Sequence, residues 1–356
     1  MIRFNQSIGK LRFVYNVKSL LLRVNHDLKL FSLTGMKVII IGAGISGCVC
    51  SQQLALAGHH VTVVEKGRGV GGRMATRRMD GARIDHGAQF FTARDPRLQK
   101  LNLQWIQEKR VVEWYDKVPG CPDIPGDMRY RGSTGMTGPA KSLTKDCSLA
   151  LNFFAEKIQR NRRWQVTERG GEKRVLEADH LVITIPSVQM IELLERSNLD
   201  LGSSAMSRLE AIRHTRCLAI LGILDGPSQL QFPGAVTHPY EDVDWLSDNQ
   251  VKGISERPAI TLHASAEFSE RCWDVPDTEW GDQLLEPAGE VMGTQVVSWV
   301  SHRWGFAKPL VTFGESHYHV PELSLTLAGD GFGGERVERS AISGLDAAAA
   351  ILEKNF

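Results

Sequence analysis

"VIIIGAGISGCVCSQQLALAGHHVTVVEK", residues 38–66, decides how this chain is read. Four apolar residues lead through a glycine-punctuated turn and an Ala- and Leu-containing stretch to a second apolar run that closes on an acid. Residues 37–41 are predicted to form a buried parallel strand, 45–57 a helix carrying Leu54 and Leu56 inward, and 61–65 the next strand. The segment is thus a βαβ unit. Gly42, Gly44 and Gly47 stand at G-x-G-x-x-G spacing between the strand and the helix. The first permits a tight turn, the second lets main chain approach a pyrophosphate, and the third lets the helix pack closely, with its N-terminus at Ile45 and Ser46 facing the phosphates. Glu65 ends the second strand, where a carboxylate accepts hydrogen bonds from an adenosine ribose and repels the extra phosphate of NADP. The three glycines by themselves admit NAD, NADP or FAD.

The 356 residues fit two intimately packed domains better than one core. With 23% charged residues, 42% hydrophobic residues and a net charge of +1, the composition is that of a globular enzyme, and a nucleic-acid partner needing a basic face is excluded. Cys48, Cys50, Cys121, Cys147, Cys217 and Cys272 are scattered without a CxxC pair. No metal site or redox disulfide is expected, and free thiols suit a reducing, cytoplasmic compartment. No apolar run approaches the roughly 20 residues of a membrane span. Residues 1–35 carry Arg3, Lys10, Arg12, Lys18, Arg23 and Lys29 against Asp27 alone. They read as an extension ahead of a natural start at Met36, or alternatively as an organellar targeting peptide.

Beyond the βαβ unit, "GRGVGGRMATRR" breaks periodicity and reads as a loop, residues 96–109 as a helix, and "KVPGCPDIPGDMRYRGSTGMTG" as turns and short strands. "RWQVTERGGEKRVLEADHLVITIP" gives three strands, two of them a hairpin through Gly170 and Gly171. "CLAILGIL", "AITLHASAEF" and "TQVVSWVSHRW" are strands of an antiparallel sheet, with a helix near 203–212. "LSLTLAGDGFGGERVERSAISGLDAAAAILEK" returns to the α/β pattern with a strand, a turn and a long Ala-rich helix.

Two further segments narrow the ligand. Gly71, Gly72 and Arg73 follow Glu65 closely and would lay a main-chain turn and a guanidinium against it, unless Arg68, Arg73, Arg77 and Arg78 form only a solvated basic loop. Near the other end, Gly329, Asp330 and Gly331 follow the strand "LSLTLA" and precede the long helix. An Asp there would accept a hydrogen bond from a ribityl hydroxyl, and the helix start at 337–340 would offer N–H groups to the flavin's pyrimidine oxygens. A nicotinamide enzyme needs no such distant Gly-Asp site, so the ligand expected is FAD. The expected fold class is α/β plus α+β. A Rossmann-like FAD-binding domain in three β/β/α layers, residues 36–95, 136–195 and 318–356, is closed by the C-terminal helix. A substrate domain with a mixed, mainly antiparallel sheet is inserted as residues 96–135 and 196–317.

"GAGISG", "GGRMATRR", "DHGAQFFTARD", "SHRWGFA" and "AGDGF" together make the chain, from Met36 onward, resemble the renalase-like branch of the FAD-dependent amine oxidase superfamily. "GGRM" followed by "D-x-GAQ" is the branch-specific part. The resemblance implies that Gly42, Gly44, Ile45, Ser46 and Gly47 hold the pyrophosphate, Glu65 the ribose, and Lys66, Gly72, Arg73 and Met74 the phosphate side. It implies that Gly87, Ala88, Gln89 and Phe90 pass close to the isoalloxazine, that Ile158 holds the adenine through its main chain, and that Gly329, Asp330 and Val337 fix the ribityl and pyrimidine ends. Asn249 of "WLSDNQVKG" and His263 of "AITLHASAEF" would orient the substrate, with Trp299, His302, Arg303 and Trp304 as walls. The chain departs from many amine oxidases in carrying Gly67 two residues after the ribose-binding acid, where they carry Arg. No cysteine occurs in "AGDGFGGERVERSA", so noncovalent FAD is implied.

Oxidising an electron-rich donor needs little acid–base machinery beyond positioning and exclusion of water. The expected activity is that of a renalase-like FAD-dependent oxidoreductase taking a hydride from a small amine-like or dihydronicotinamide donor onto flavin N5, with dioxygen as acceptor. An amine oxidase or desaturase acting on another substrate is the alternative within the superfamily, and a nonenzymatic flavin-binding protein is the alternative outside it.

Overall fold

Val38, Ile39, Ile40 and Ile41 are each at most 3% exposed, so the strand Lys37–Ile41 is covered on both faces. The computed structural model describes residues 35–117, 127–171 and 173–353. The expectation about residues 1–35 therefore lies, apart from Gly35, outside the described residues, as does Cys121. Lys37–Ile41 sits inside a six-stranded sheet whose order is His317–Val320, Leu325–Ala328, His180–Ile183, Lys37–Ile41, His60–Val64 and Ser148–Ala150. All neighbours pair parallel except the edge strand His317–Val320, which runs antiparallel to Leu325–Ala328.

The two-residue period of the strands divides the core. Val38, Ile40, Val61 and Val63 pack beneath the first helix, Ile45–Leu56, and the C-terminal helix, Arg336–Leu352. Ile39, Ile41, Leu181, Ile183, Leu325 and Leu327 face the opposite way. They meet Trp164, Val166 and Ala178 of a three-stranded antiparallel sheet, Ala155–Arg160, Trp164–Glu168 and Val175–Ala178. The three β/β/α layers closed by the C-terminal helix are thus present.

Two glycines set the spacing of the helix layer. A Cβ on Gly47 would stand 2.0 Å from Gly42 O, and one on Gly344 would stand 2.2 Å from Ser46 O. Both obstacles are main chain, which has no rotamer to yield. Gly47→Ala is therefore expected to cost about 1–3 kcal/mol through forced displacement of the first helix. Chemical unfolding checks this, and a change below about 0.5 kcal/mol would contradict so close a packing.

The inserted sheet has the order Ala235–Tyr240, Val243–Asp248, Ala259–Ala264, Cys217–Leu224, Val296–Trp304, with every pairing antiparallel. One face carries Leu218, Ile220, Leu246, Ile260 and Leu262 under the helices Ala266–Arg271 and Asp277–Met292. The other turns Leu221, Ile223 and Ala259 toward Ala82 and Ile84 of the hairpin Thr76–Met79 and Ala82–Asp85.

Segment 96–135, read from sequence as part of the substrate domain, is divided. Leu98, Leu101 and Trp105 of the helix Pro96–Gln107 enter the same core as the first and C-terminal helices. Trp114 and Tyr115 instead cluster with Trp245 of the inserted sheet. The amphipathic face of that helix fixes its burial but not the partner that covers it.

Candidate functional site

The glycine turn folds onto the next loop. Gly42 has φ +108°, a region glycine enters without strain, and donates its N–H to Val64 O at 2.8 Å. Gly71 donates to Ala43 O at 2.8 Å, and a Cβ on Gly72 would lie 3.3 Å from Gly44 Cα. The first helix starts after Gly44 with no side-chain cap, so its first N–H groups and positive dipole end are left for a ligand. Among the described residues, a Cβ on Gly44 would meet nothing within 4 Å, and Ser46 Oγ beside it is buried without a hydrogen-bond partner. Glu65 is aimed by two main-chain donors: Ala43 N at 2.9 Å on Oε2 and Gly67 N at 2.8 Å on Oε1. Lys66 turns away to Gln189 Oε1 at 3.2 Å, and Met74 is a core residue.

Arg73 joins this turn to the far end of the chain. Its carbonyl accepts from Ala88 N at 2.8 Å, and the same oxygen would lie 2.0 Å from a Cβ on Gly87, so only glycine fits there. Its guanidinium donates to Phe306 O at 2.8 Å and to Asp330 Oδ2 at 2.5 Å. Burial pushes the Asp330 carboxyl up, but His214 and Arg73 outweigh it and hold the group well below the usual carboxylate range. Gly329, at φ +129°, donates to Ser343 Oγ in the middle of the C-terminal helix at 2.8 Å, tying the Gly-Asp turn to that helix, whose first turn includes the buried Val337.

Facing this loop is one row of the inserted sheet. Register sets Trp245 opposite His263, His263 opposite Ala219, and Ala219 opposite His302. His263 Nε2 lies 3.1 Å from His86 O, and Trp304 Nε1 donates to the same oxygen at 3.0 Å. The His86 ring stacks on Trp304 at 5.2 Å and meets His302 edge-on at 5.0 Å. Burial, with the neighbouring His302, lowers His86 to about 4, and burial lowers His263 to about 4, so both rings are neutral at pH 7. A carbonyl only accepts, so His263 carries its proton on Nε2.

The alternation separates the four wall residues read from sequence. His302 and Trp304 stand on this face, whereas Trp299 packs on Trp280 and Arg303 bonds Trp273 O, Val275 O and Asp277 on the helix side. Asn249, expected to orient substrate, lies beneath the face. It is fully buried, and its amide is taken up by Asp85 N at 3.3 Å, Ala259 O at 3.2 Å and Thr261 Oγ1 at 3.0 Å. Ile158, expected to hold adenine, gives its N–H to Ser197 Oγ at 2.9 Å. Phe90 joins an aromatic cluster with Trp114, Tyr115 and Trp245.

Sequence reading missed Lys252. Its side chain is 0% exposed, with Nζ 2.8 Å from Asp85 Oδ2, 3.1 Å from Gln89 Oε1 and 5.1 Å from the Trp114 ring centre. Burial lowers its affinity for a proton, and Asp85 opposes that shift. In "DNQVKG" it reads as an ordinary loop cation, and no local signal marks it as buried.

Residues 40–102 match the NAD(P)-binding Rossmann-like domain family. Cyclohexylamine oxidase from Brevibacterium oxydans IH-35A superposes with a TM-score of 0.68 at 15% identity, over 90% of this chain and 99% of that one. A putrescine oxidase with redesigned cofactor binding gives 0.64 at 15% identity, with the same coverage. The chain has the amine oxidase fold. Over 144 residues, 35% of this chain and 29% of the relative, it is 44% identical to 4,4'-diapophytoene desaturase (4,4'-diaponeurosporene-forming) of Staphylococcus aureus. The chain thus spans less than a third of the length of the curated relatives it matches. At this level the similarity is to the FAD-dependent amine oxidase and desaturase superfamily.

Within that fold the residues present suit a dinucleotide. Among the described residues, the uncapped helix start, the open side of Gly44 and the partnerless Ser46 hydroxyl leave donors of the kind an anion takes, and the Glu65 carboxylate is held by main chain just after the next strand. Among the described residues no group of three or more His, Cys, Asp or Glu side chains is arranged to hold a metal ion. No helix among them is long and apolar enough to cross a membrane.

Proposed function

We propose that this chain is an FAD-dependent oxidoreductase of the renalase-like type, acting on a small dihydronicotinamide or amine-like donor with dioxygen as acceptor. The observation that carries the reading is the Arg73–Asp330 contact at 2.5 Å, which brings together two anchors 257 residues apart. One anchor is the glycine cradle for a pyrophosphate. The other is a Gly-Asp turn of the kind a ribityl chain requires and a nicotinamide cofactor does not. When bound, FAD supplies a hydride acceptor at N5 and passes the electron pair to dioxygen, giving hydrogen peroxide.

The chain's own residues bind and orient. Ser46 and the N–H groups of the first helix take the pyrophosphate, Glu65 the ribose hydroxyls, and Asp330 a ribityl hydroxyl. Gly87 and Ala88 present main chain to the ring. Neutral His263, with His302 and Trp304, forms an uncharged surface that accepts a flat donor without a protonation step. Asn249 supports that surface through Asp85 and Thr261. The five described cysteines are free thiols, which suits the cytoplasm.

Purified protein is expected to be yellow, with the colour released to the supernatant on heating. Rapid mixing with 2- or 6-dihydro-NAD(P) is expected to bleach the flavin faster than NADH or simple amines do. A colourless protein that refuses added FAD overturns the cofactor. A yellow protein bleached faster by an amine or an apolar alkene donor overturns the donor class and favours the amine oxidase or desaturase reading. A yellow protein inert to every donor leaves a flavin-binding role.

A further inference from the structure

One ammonium group grips both ends of the loop that the proposed function lays against the cofactor ring. Lys252 Nζ bonds Asp85 at the loop's start and Gln89 at its end, 167 and 163 residues away in the chain. Gln89 Nε2 closes the ring by donating to Asp85 O at 2.5 Å and Gly87 O at 3.1 Å. Asp85 is itself anchored from three sides. Its Oδ1 accepts from Thr76 Oγ1 at 2.5 Å and Met136 N at 2.8 Å, its carbonyl from Thr261 Oγ1 at 2.8 Å, and its N–H donates to Asn249 Oδ1. The residues enclosed are His86, Gly87 and Ala88. Their main chain carries the contacts to Arg73, His263 and Trp304 described above.

A fully buried ion pair is poor value as a source of stability, because apolar residues of equal volume commonly serve as well. What it gives that apolar packing does not is direction, since two bonds from one nitrogen fix where the two ends of the loop stand. We infer that Lys252 is a positioning residue that sets the place of the Gly87–Ala88 main chain relative to the inserted sheet. The link from that loop to the flavin rests on the function proposed above; the link from Lys252 to the loop does not.

The test therefore has one readout without cofactor and one with it. Amide hydrogen exchange is measured on the cofactor-free chain for wild type, Asp85→Asn/Lys252→Met, which leaves no unpaired buried charge, and Gln89→Leu, which removes the Lys252 bond at the loop's end together with Gln89's own bonds to Asp85 O and Gly87 O. Exchange at Ala88 is expected to rise at least tenfold in both variants relative to the strand Lys37–Ile41. A uniform rise across the chain, or none, overturns the inference, since a purely structural pair would not single out the loop. Should the double variant fail to fold, Gln89→Leu decides alone. In protein that takes up FAD, the double variant is expected to shift the visible circular dichroism of the flavin and to slow its reduction at least tenfold with little change in KM. An unaltered flavin signal with Ala88 loosened would refute the flavin link alone, and failure of wild type to bind FAD would refute the proposed function while leaving the exchange result to stand.

Discussion

Lys252→Met is expected to lower the free energy of unfolding by about 3–5 kcal/mol, because it strands the Asp85 carboxylate at 0% exposure with its counter-ion gone. The remaining donors, Thr76 Oγ1 and Met136 N, serve Oδ1 and leave Oδ2 without its charged partner. The lost cation–aromatic contact with Trp114 adds to the cost. The double variant Asp85→Asn/Lys252→Met is expected within about 2 kcal/mol of wild type, since removing both charges removes the uncompensated one. Urea unfolding of these three proteins and of Asp85→Asn closes the cycle. A single variant within about 1 kcal/mol of wild type would mean that the ammonium is not sealed against Asp85.

Acidification is expected to destabilise the fold well before the carboxylates titrate. His86 and His263 are lowered from 6.5 to about 4, and His180 from 6.5 to about 3, in each case chiefly by burial. An unfolded chain binds protons on these rings below pH 6.5 that the native chain refuses. The stability they contribute is therefore complete above pH 6.5 and drains as pH falls toward 4. Each of the three rings out of step contributes a slope of about 1.4 kcal/mol per pH unit, and a total loss of about 7 kcal/mol is expected between pH 7 and 4.5. Asp330 adds nothing in this window, because its carboxyl is charged in both states until pH drops below its ordinary 3.8. Unfolding free energies at half-unit intervals test this, with His263→Gln expected to flatten the slope by close to one proton. A curve level from pH 7 to 5 would rule out neutral buried rings at these positions.

The proposed cofactor end is the part the sequence could address, because the chemistry expected of it is local. G-x-G-x-x-G, an acid at the strand end and a Gly-Asp turn after a strand each carry their role within a few residues. The structure joins Gly44, Gly72, Arg73, Gly87, Ala88 and Asp330 through direct main-chain or side-chain bonds and close approach. The donor end was less legible because it is made by register. A shift of one residue sends Trp299 and Arg303 to the helix side while His302 and Trp304 face the loop, and nothing in "SWVSHRW" says which parity wins. Asn249 misled for the same reason. Its place beneath the face depends on how the turn after Asp248 folds back onto Ala259.

By itself the sequence determined the βαβ start, the order of the layers and the closing helix, because strand runs such as "VIII" and the small residues of "GLDAAAAIL" state their burial in their own composition. The helix Asp277–Met292 escaped it, since Gly281, Pro287 and Gly289 interrupt the local pattern while Trp280 and Leu284 are held by the sheet above. Only the tertiary structure decided the partner of the helix Pro96–Gln107, the burial of Lys252 and the face on which His263 stands. Each of these depends on residues more than a hundred positions away, and a charge or an apolar stripe carries no record of which distant surface will cover it.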